Sequence, residues 1–151
     1  MMNSGMKRRK FLLLGAGALL AVPALAARDL VRVYKNPACG CCGDWIKHLR
    51  ANGFEVQAHD VDDTAVLRSR YGVPDGLASC HTALVGEYVV EGHVPAAEIK
   101  RLLREKPKAA GLAVPGMPIG SPGMEGPRID PYDVLLFQRN GRFTTYARYG
   151  R

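Results

Sequence analysis

Little in this chain suits nucleic acid, because its 151 residues contain no dense Lys/Arg run interleaved with aromatics, the footprint such binding leaves. No internal repeat and no block of like charge divides it, so one domain is expected. The N-terminal apolar stretch from Phe11 to Val22 is too short to span a bilayer: it has about 12 residues where roughly 20 are needed. Cysteine is scarce, with four residues in all. A second C-x-x-C knuckle, the usual partner in a four-cysteine zinc site, is missing.

What the N-terminus does hold is a basic run, Lys7 to Lys10, then the apolar stretch, then Ala24-Leu25-Ala26. That is the pattern of a signal peptide with an A-x-A cleavage site, removed after Ala26. Arg8-Arg9 followed by Lys10-Phe11-Leu12 also resembles a twin-arginine export signal. The expected organisation is therefore residues 1–26 as signal and 27–151 as a single periplasmic domain with no membrane anchor after cleavage. Loss of the signal removes four of the 21 Lys and Arg residues and none of the 14 acids, leaving a net charge of +3 in place of +7.

The mature part reads as alternating strands and helices. Leu30–Lys35 alternates with β-branched content, as a strand does. Trp45, Ile46 and Leu49 recur at helical spacing, which predicts a helix starting just after Cys42, with Asp44 in its first turn and Gly53 as its stop. Phe54–Val61 alternates again, and Asp62–Gly72 predicts a helix capped by Asp62, with Val66, Leu67 and Tyr71 on its apolar face. Thr82–Val85 and Tyr88–Val90 are short strands around a two-residue turn at Gly86-Glu87. A helix from Pro95 to Glu105 and a hairpin around Asn140-Gly141 complete the pattern. Between them, Ala110 to Pro131 is rich in Gly and Pro and reads as a long irregular loop, a feature often functional.

Three of the four cysteines fall in "NPACGCCGDW", from Asn36 to Trp45. Cys39 and Cys42 form a C-x-x-C redox pair, and Cys39, Cys41 and Cys42 together form a cluster of the metal-binding kind. A helix N-terminus, with its unpaired N–H groups, favours thiolate at Cys41 and Cys42. A structural disulfide framework is the plainer reading, but small stapled folds spread their cysteines along the chain. Clustering favours chemistry.

The element order, with cysteines between the first strand and first helix, resembles the thioredoxin fold: a β-α-β-α-β-β-α core, here with a long Gly/Pro loop and a C-terminal hairpin. "VYKNPACGCCGDW", "SCHTA", "VEGHVPAAEIKRLL" and "GLAVPGMPIGSPGME" together resemble an exported bacterial family, formerly a domain of unknown function, that includes the copper-resistance protein CopG. The resemblance runs from Val31 to Tyr149. It implies a thioredoxin-like periplasmic protein that binds copper ions, with copper donor or efflux proteins as partners.

In a thioredoxin-type fold the segment entering the third strand lies beside the cysteine loop and normally presents a cis-proline. Here that place holds Cys80-His81-Thr82, which brings a fourth sulfur toward the other three. Four thiolates repel unless a cation neutralises them, and thiolates select Cu(I), Zn(II) or iron–sulfur clusters. Adjacent Cys41 and Cys42 are awkward as two vertices around one zinc but suited to bridging neighbouring Cu(I) ions, and iron–sulfur motifs space their cysteines more widely. The expected metal ligands are Cys39, Cys41, Cys42 and Cys80, with Met117 of the Gly/Pro loop as a fifth, holding one or more Cu(I) ions. Met124, His81 and His93 are further candidates, with His93 also readable as a polar turn residue. His48 and His59 read as surface residues. The competing functions are a thiol-disulfide oxidoreductase using Cys39 and Cys42, and a structural zinc domain.

Overall fold

The computed structural model describes residues 28–151; the expected signal segment lies outside them. Among the described residues no helix is long and apolar enough to cross a membrane. Seven strands form one sheet: β1 (Leu30–Lys35), β2 (Glu55–Asp60), β3 (His81–Val85), β4 (Tyr88–Gly92), β5 (Gly111–Val114), β6 (Tyr132–Phe137) and β7 (Phe143–Tyr149). Their spatial order is β2-β1-β3-β4-β5-β6-β7. β1 runs parallel to β2 and antiparallel to β3, β4 returns antiparallel to β3, and β5 joins β4 in parallel. Among the described residues three α-helices, α1 (Gly40–Ala51), α2 (Thr64–Tyr71) and α3 (Ala96–Glu105), and a short 3-10 turn at Asp75–Leu77 connect the strands.

The main core lies where α1 and α3 meet the centre of the sheet. Val31 and Val33 of β1, Trp45 and Leu49 of α1, and Ile99 and Leu102 of α3 are all fully buried. Each such side chain contributes roughly 1.5–3 kcal/mol by leaving water. Trp45 is the sole tryptophan, and its indole N–H donates to the Val94 carbonyl at 2.9 Å. His48, expected on the surface, is half-buried, and its Nε2 accepts the Ala96 N–H at 3.0 Å, supplying the first turn of α3 with the acceptor that Pro95 does not offer. His59 stands exposed on β2, stacked on Tyr34.

Several expectations need correction. α1 starts at Gly40, inside the cysteine loop, so Cys41 and Cys42 occupy its first turn, Cys39 is its N-cap, and Asp44 lies beyond that turn, paired with Lys47. α2 is capped by Asp63, whose carboxylate accepts the Ala65 N–H at 2.8 Å, and not by Asp62. Its expected apolar face is only partly covered: Val66 is 64% exposed, while Leu67 and Tyr71 are half-buried, with Tyr71 packed against the cluster of Val73, Leu77 and Phe137. Part of the expected loop, Gly111–Val114, is a buried strand, which shortens the irregular stretch to residues 115–131. β5 is what joins the C-terminal hairpin to the rest of the sheet. Gly111 is required there, because a Cβ would overlap the Val89 carbonyl of β4. The hairpin forms as expected and docks on α3 through Arg101 over the Tyr146 ring and the Tyr149 hydroxyl donating to Glu98 at 2.7 Å.

One buried carboxylate fixes the start of β3. Glu91 of β4 is fully buried; its Oε1 accepts the Ser79 N–H at 2.7 Å and its Oε2 the Thr82 hydroxyl at 2.6 Å, with the Arg68 guanidinium 3.8 Å away. Burial pushes its pKa up to about 7, opposed by both hydrogen bonds and by Arg68. Ser79 and Thr82 flank Cys80-His81, so Glu91 holds that dipeptide from both sides. Glu91→Ala orphans the buried Thr82 hydroxyl and the partly buried Ser79 N–H, and should destabilise the fold by about 1–3 kcal/mol. Glu91→Gln keeps one acceptor and should cost less. Urea unfolding of both variants tests this, and an unchanged midpoint for Glu91→Ala would remove the clamp.

Candidate metal centre

The first turn of α1 meets the start of β3, and the sulfurs converge there. Cys39 and Cys42 are joined as a disulfide, while Cys41 and Cys80 are free. Cys41 Sγ lies 3.5 Å from Cys39 Sγ and 3.7 Å from Cys80 Sγ, and Cys42 Sγ lies 3.6 Å from Cys80 Sγ. Two sulfurs bound at ~2.3 Å to one tetrahedral ion stand ~3.8 Å apart, so these separations need little change to hold metal. The four cysteines were expected together as thiolates. They are together, but two are oxidised, and the full set of thiolates forms only on reduction of the Cys39–Cys42 bond.

Cys80 is the hub. Besides the sulfurs of Cys41 and Cys42 it faces two imidazoles, His93 Nε2 at 3.1 Å and His81 Nδ1 at 3.4 Å. Cys39, Cys41, Cys42 and Cys80 form one group able to hold a metal ion, and Cys80, His81 and His93 form a second, sharing Cys80. Burial, reinforced by Cys41 alongside, pushes the Cys80 thiol up to about 12. Burial also drives His81 down to about 3, helped by His93, and lowers His93. At neutral pH His81 is therefore a neutral imidazole, and its buried Nε2 has no hydrogen-bond partner. An unpartnered buried nitrogen is costly unless something binds it.

His93 is the residue that the sequence undervalued. It is fully buried, and its Nδ1 lies 2.7 Å from the Pro122 carbonyl. A carbonyl can only accept, so Nδ1 carries the proton and the Nε2 lone pair points to Cys80, the arrangement in which ligating histidines are usually held. A signal was present: a two-residue turn at Gly86-Glu87 pairs Val85 with Tyr88 and Thr82 with Glu91, and two further steps set Cys80 opposite His93.

The Gly/Pro loop closes over the site. Gly123, at φ +85°, packs so tightly that a Cβ would lie 2.7 Å from the Cys41 carbonyl oxygen and 2.8 Å from the Trp45 nitrogen. Gly116 donates its N–H to the Ala78 carbonyl at 3.1 Å, and the Ser79 hydroxyl donates to the Gly116 carbonyl. The next residue, Met117, places its sulfur 3.9 Å from Cys41 Sγ while 50% exposed. Met124 serves the loop through its backbone, accepting the Gly120 N–H and donating to the Ser121 carbonyl. The donors present are soft sulfurs with neutral imidazoles behind them, a set that fits copper.

Residues 77–124 match a family described as a protein of unknown function, DUF411. No curated protein matches the chain. Among solved structures, copper resistance protein copG in its form 2 is 49% identical, with a TM-score of 0.77, over 82% of this chain and 99% of that one. Form 1 of the same protein is 48% identical, with a TM-score of 0.78, over 83% of this chain and all of that one. Identity of that extent along nearly the full length of the copG chain establishes kinship: this chain belongs to the DUF411 family of copper resistance protein CopG.

Proposed function

We propose that this protein is an exported, thioredoxin-like copper protein that binds Cu(I) through Cys39, Cys41, Cys42 and Cys80, with Met117 at the rim, and sequesters or transfers copper for metal tolerance. The convergence of Cys80 on the Cys39–Cys42 segment carries this reading. The thioredoxin-like assignment is supported by the strand order β2-β1-β3-β4 and by cysteines at the N-terminus of the helix after β1. Export rests on the signal-like pattern of residues 1–26, which makes the periplasm the working compartment and copper donor or efflux proteins the partners.

Loading the full thiolate set needs two electrons to open the Cys39–Cys42 disulfide, supplied by a dithiol that is itself oxidised to a disulfide. Cu(I) then displaces the remaining thiol protons, and because adjacent thiolates can bridge, more than one ion is accommodated. His81 and His93 supply nitrogen donors beside Cys80, which suits Cu(II) and makes cycling between the two oxidation states part of the proposal. A second reading is favoured by the disulfide itself: Cys39–Cys42 at a helix N-terminus is the arrangement of a thiol-disulfide oxidoreductase.

Metal analysis of protein purified anaerobically tests the main reading directly. In the reduced protein, Cys80→Ser should sharply weaken tight Cu(I) binding although Cys39 and Cys42 remain; equal affinity and stoichiometry in the variant would show that Cys80 is not a ligand. The pH dependence has a definite sign. Cys80, with its thiol raised to about 12, is protonated in the metal-free protein at neutral pH. Copper must expel that proton, so apparent Cu(I) affinity should rise with pH, about tenfold per unit for each proton displaced. Competition with a chelator whose own protonation is corrected for would measure it, and a flat profile would deny Cys80 its place.

The two functions separate kinetically. Copper-loaded protein should show little reduction of a standard protein disulfide, and added Cu(I) should suppress whatever activity the metal-free form has. Fast turnover that needs both Cys39 and Cys42, together with copper that a chelator strips easily, would establish the oxidoreductase instead.

A further inference from the structure

Resting on the copper-binding reading, we propose that Met117 is the exchange ligand of this centre, the residue at which Cu(I) carried by a soft-ligand donor is first held and then passed to Cys41. The donors form a string from solvent inward: Met117 Sδ, Cys41 Sγ 3.9 Å away, Cys80 Sγ a further 3.7 Å, and His93 Nε2 3.1 Å beyond. Burial follows the same order, from Met117 at 50% exposed to His93 fully buried. Met117 is therefore the most solvent-exposed donor of the string, with the partly buried Cys41 next to it.

Packing does not account for Met117. A methionine that fills a core gap is enclosed, whereas this one is half in water beside a cysteine. Nor is it loosely presented. Gly116, next to it, is tied by two hydrogen bonds to Ala78 and Ser79, the residues leading into Cys80, and five residues on, the Pro122 carbonyl is held by His93. The same short segments that place Cys80 and His93 thus place Met117, and the thioether is fixed in advance relative to the thiolates. Ordering it costs little when copper arrives.

The chemistry suits a first contact. A thioether is neutral, carries no proton to lose, and binds Cu(I) weakly, so it can join the coordination sphere of an ion still held by its carrier. Cys41 then forms its Cu–S bond as the carrier's Cu–S bond breaks, one sulfur replacing the other on the ion with any thiol proton ending on the departing carrier sulfur, and copper remains Cu(I) throughout. The recognised partner is thus a thiolate-bound Cu(I) carrier with its ion near its surface. Since the route is the same in both directions, Met117 assists unloading as well as loading.

The test uses reduced mature protein under anaerobic conditions, with Cu(I)–glutathione as donor and a strong Cu(I) chelator as acceptor, followed by stopped flow. Met117→Leu, at an exposed position, should slow loading and unloading alike by about tenfold, equivalent to about 1.4 kcal/mol in each barrier, while affinity, the ratio of the two, shifts by much less. Met117→His, which restores a neutral donor, should recover most of the rate. Unchanged rates in Met117→Leu would overturn the proposal, and so would a fall in affinity that matches the fall in loading rate, which would make Met117 a resident ligand. A parent protein that takes up no Cu(I) after reduction would instead overturn the copper reading on which this one rests.

Discussion

Four sulfurs within 4.8 Å of one another cannot all be negative without a cation among them, and the arrangement around them follows from that constraint. In this structure the charge is avoided twice over, by a bond between Cys39 and Cys42 and by the raised pKa that keeps a proton on Cys80. Both are reversible, one by electrons and the other by displacement. The site thus keeps its own negative charge low, and the surrounding scaffold has to hold the sulfurs together. Glu91, itself a buried carboxylate, does part of that work by pinning the residues on either side of Cys80-His81.

The second requirement is enclosure. β5 carries the chain back alongside β4, and residues 115–131 then cross over the mouth of the site before the C-terminal hairpin begins. Because β6 and β7 extend the sheet and dock on α3, the loop is held at both ends by regular structure. Its contacts with Cys41, Ala78, Ser79 and His93 make it a wall of the cysteine site, which explains how a stretch so rich in Gly and Pro is ordered.

Much of this was legible in the residues. The strand and helix order up to α3, the C-terminal hairpin and the meeting of Cys80 with the C-x-C-C cluster all follow from periodicity, turn chemistry and the resemblance of the motifs. The misses have physical causes. Gly111–Val114 is buried on both faces, so it lacks the alternation that marks a strand, and it starts with glycine. α1 begins early because Gly40 and Cys41 contribute nothing to an apolar stripe, so the pattern becomes visible only at Trp45. α2 shows the reverse, an apolar pattern that the fold covers only in part, through Leu67 and Tyr71 but not Val66. His93 follows a strand and precedes a proline, a context that reads as a turn until the hairpin register is carried past the end of the strand pairing.

The lone tryptophan gives the centre an optical property. Trp45 is fully buried, and its ring centroid lies 4.3 Å from that of His81, itself in contact with Cys80. Its fluorescence arises in a single environment, free of any second indole, and a thiolate, or a metal ion if one is bound at the proposed site, would offer a direct route for quenching the excited state. The intrinsic emission of the chain is therefore a gauge built into its wall, reading the occupancy and oxidation state of the sulfurs without an added label.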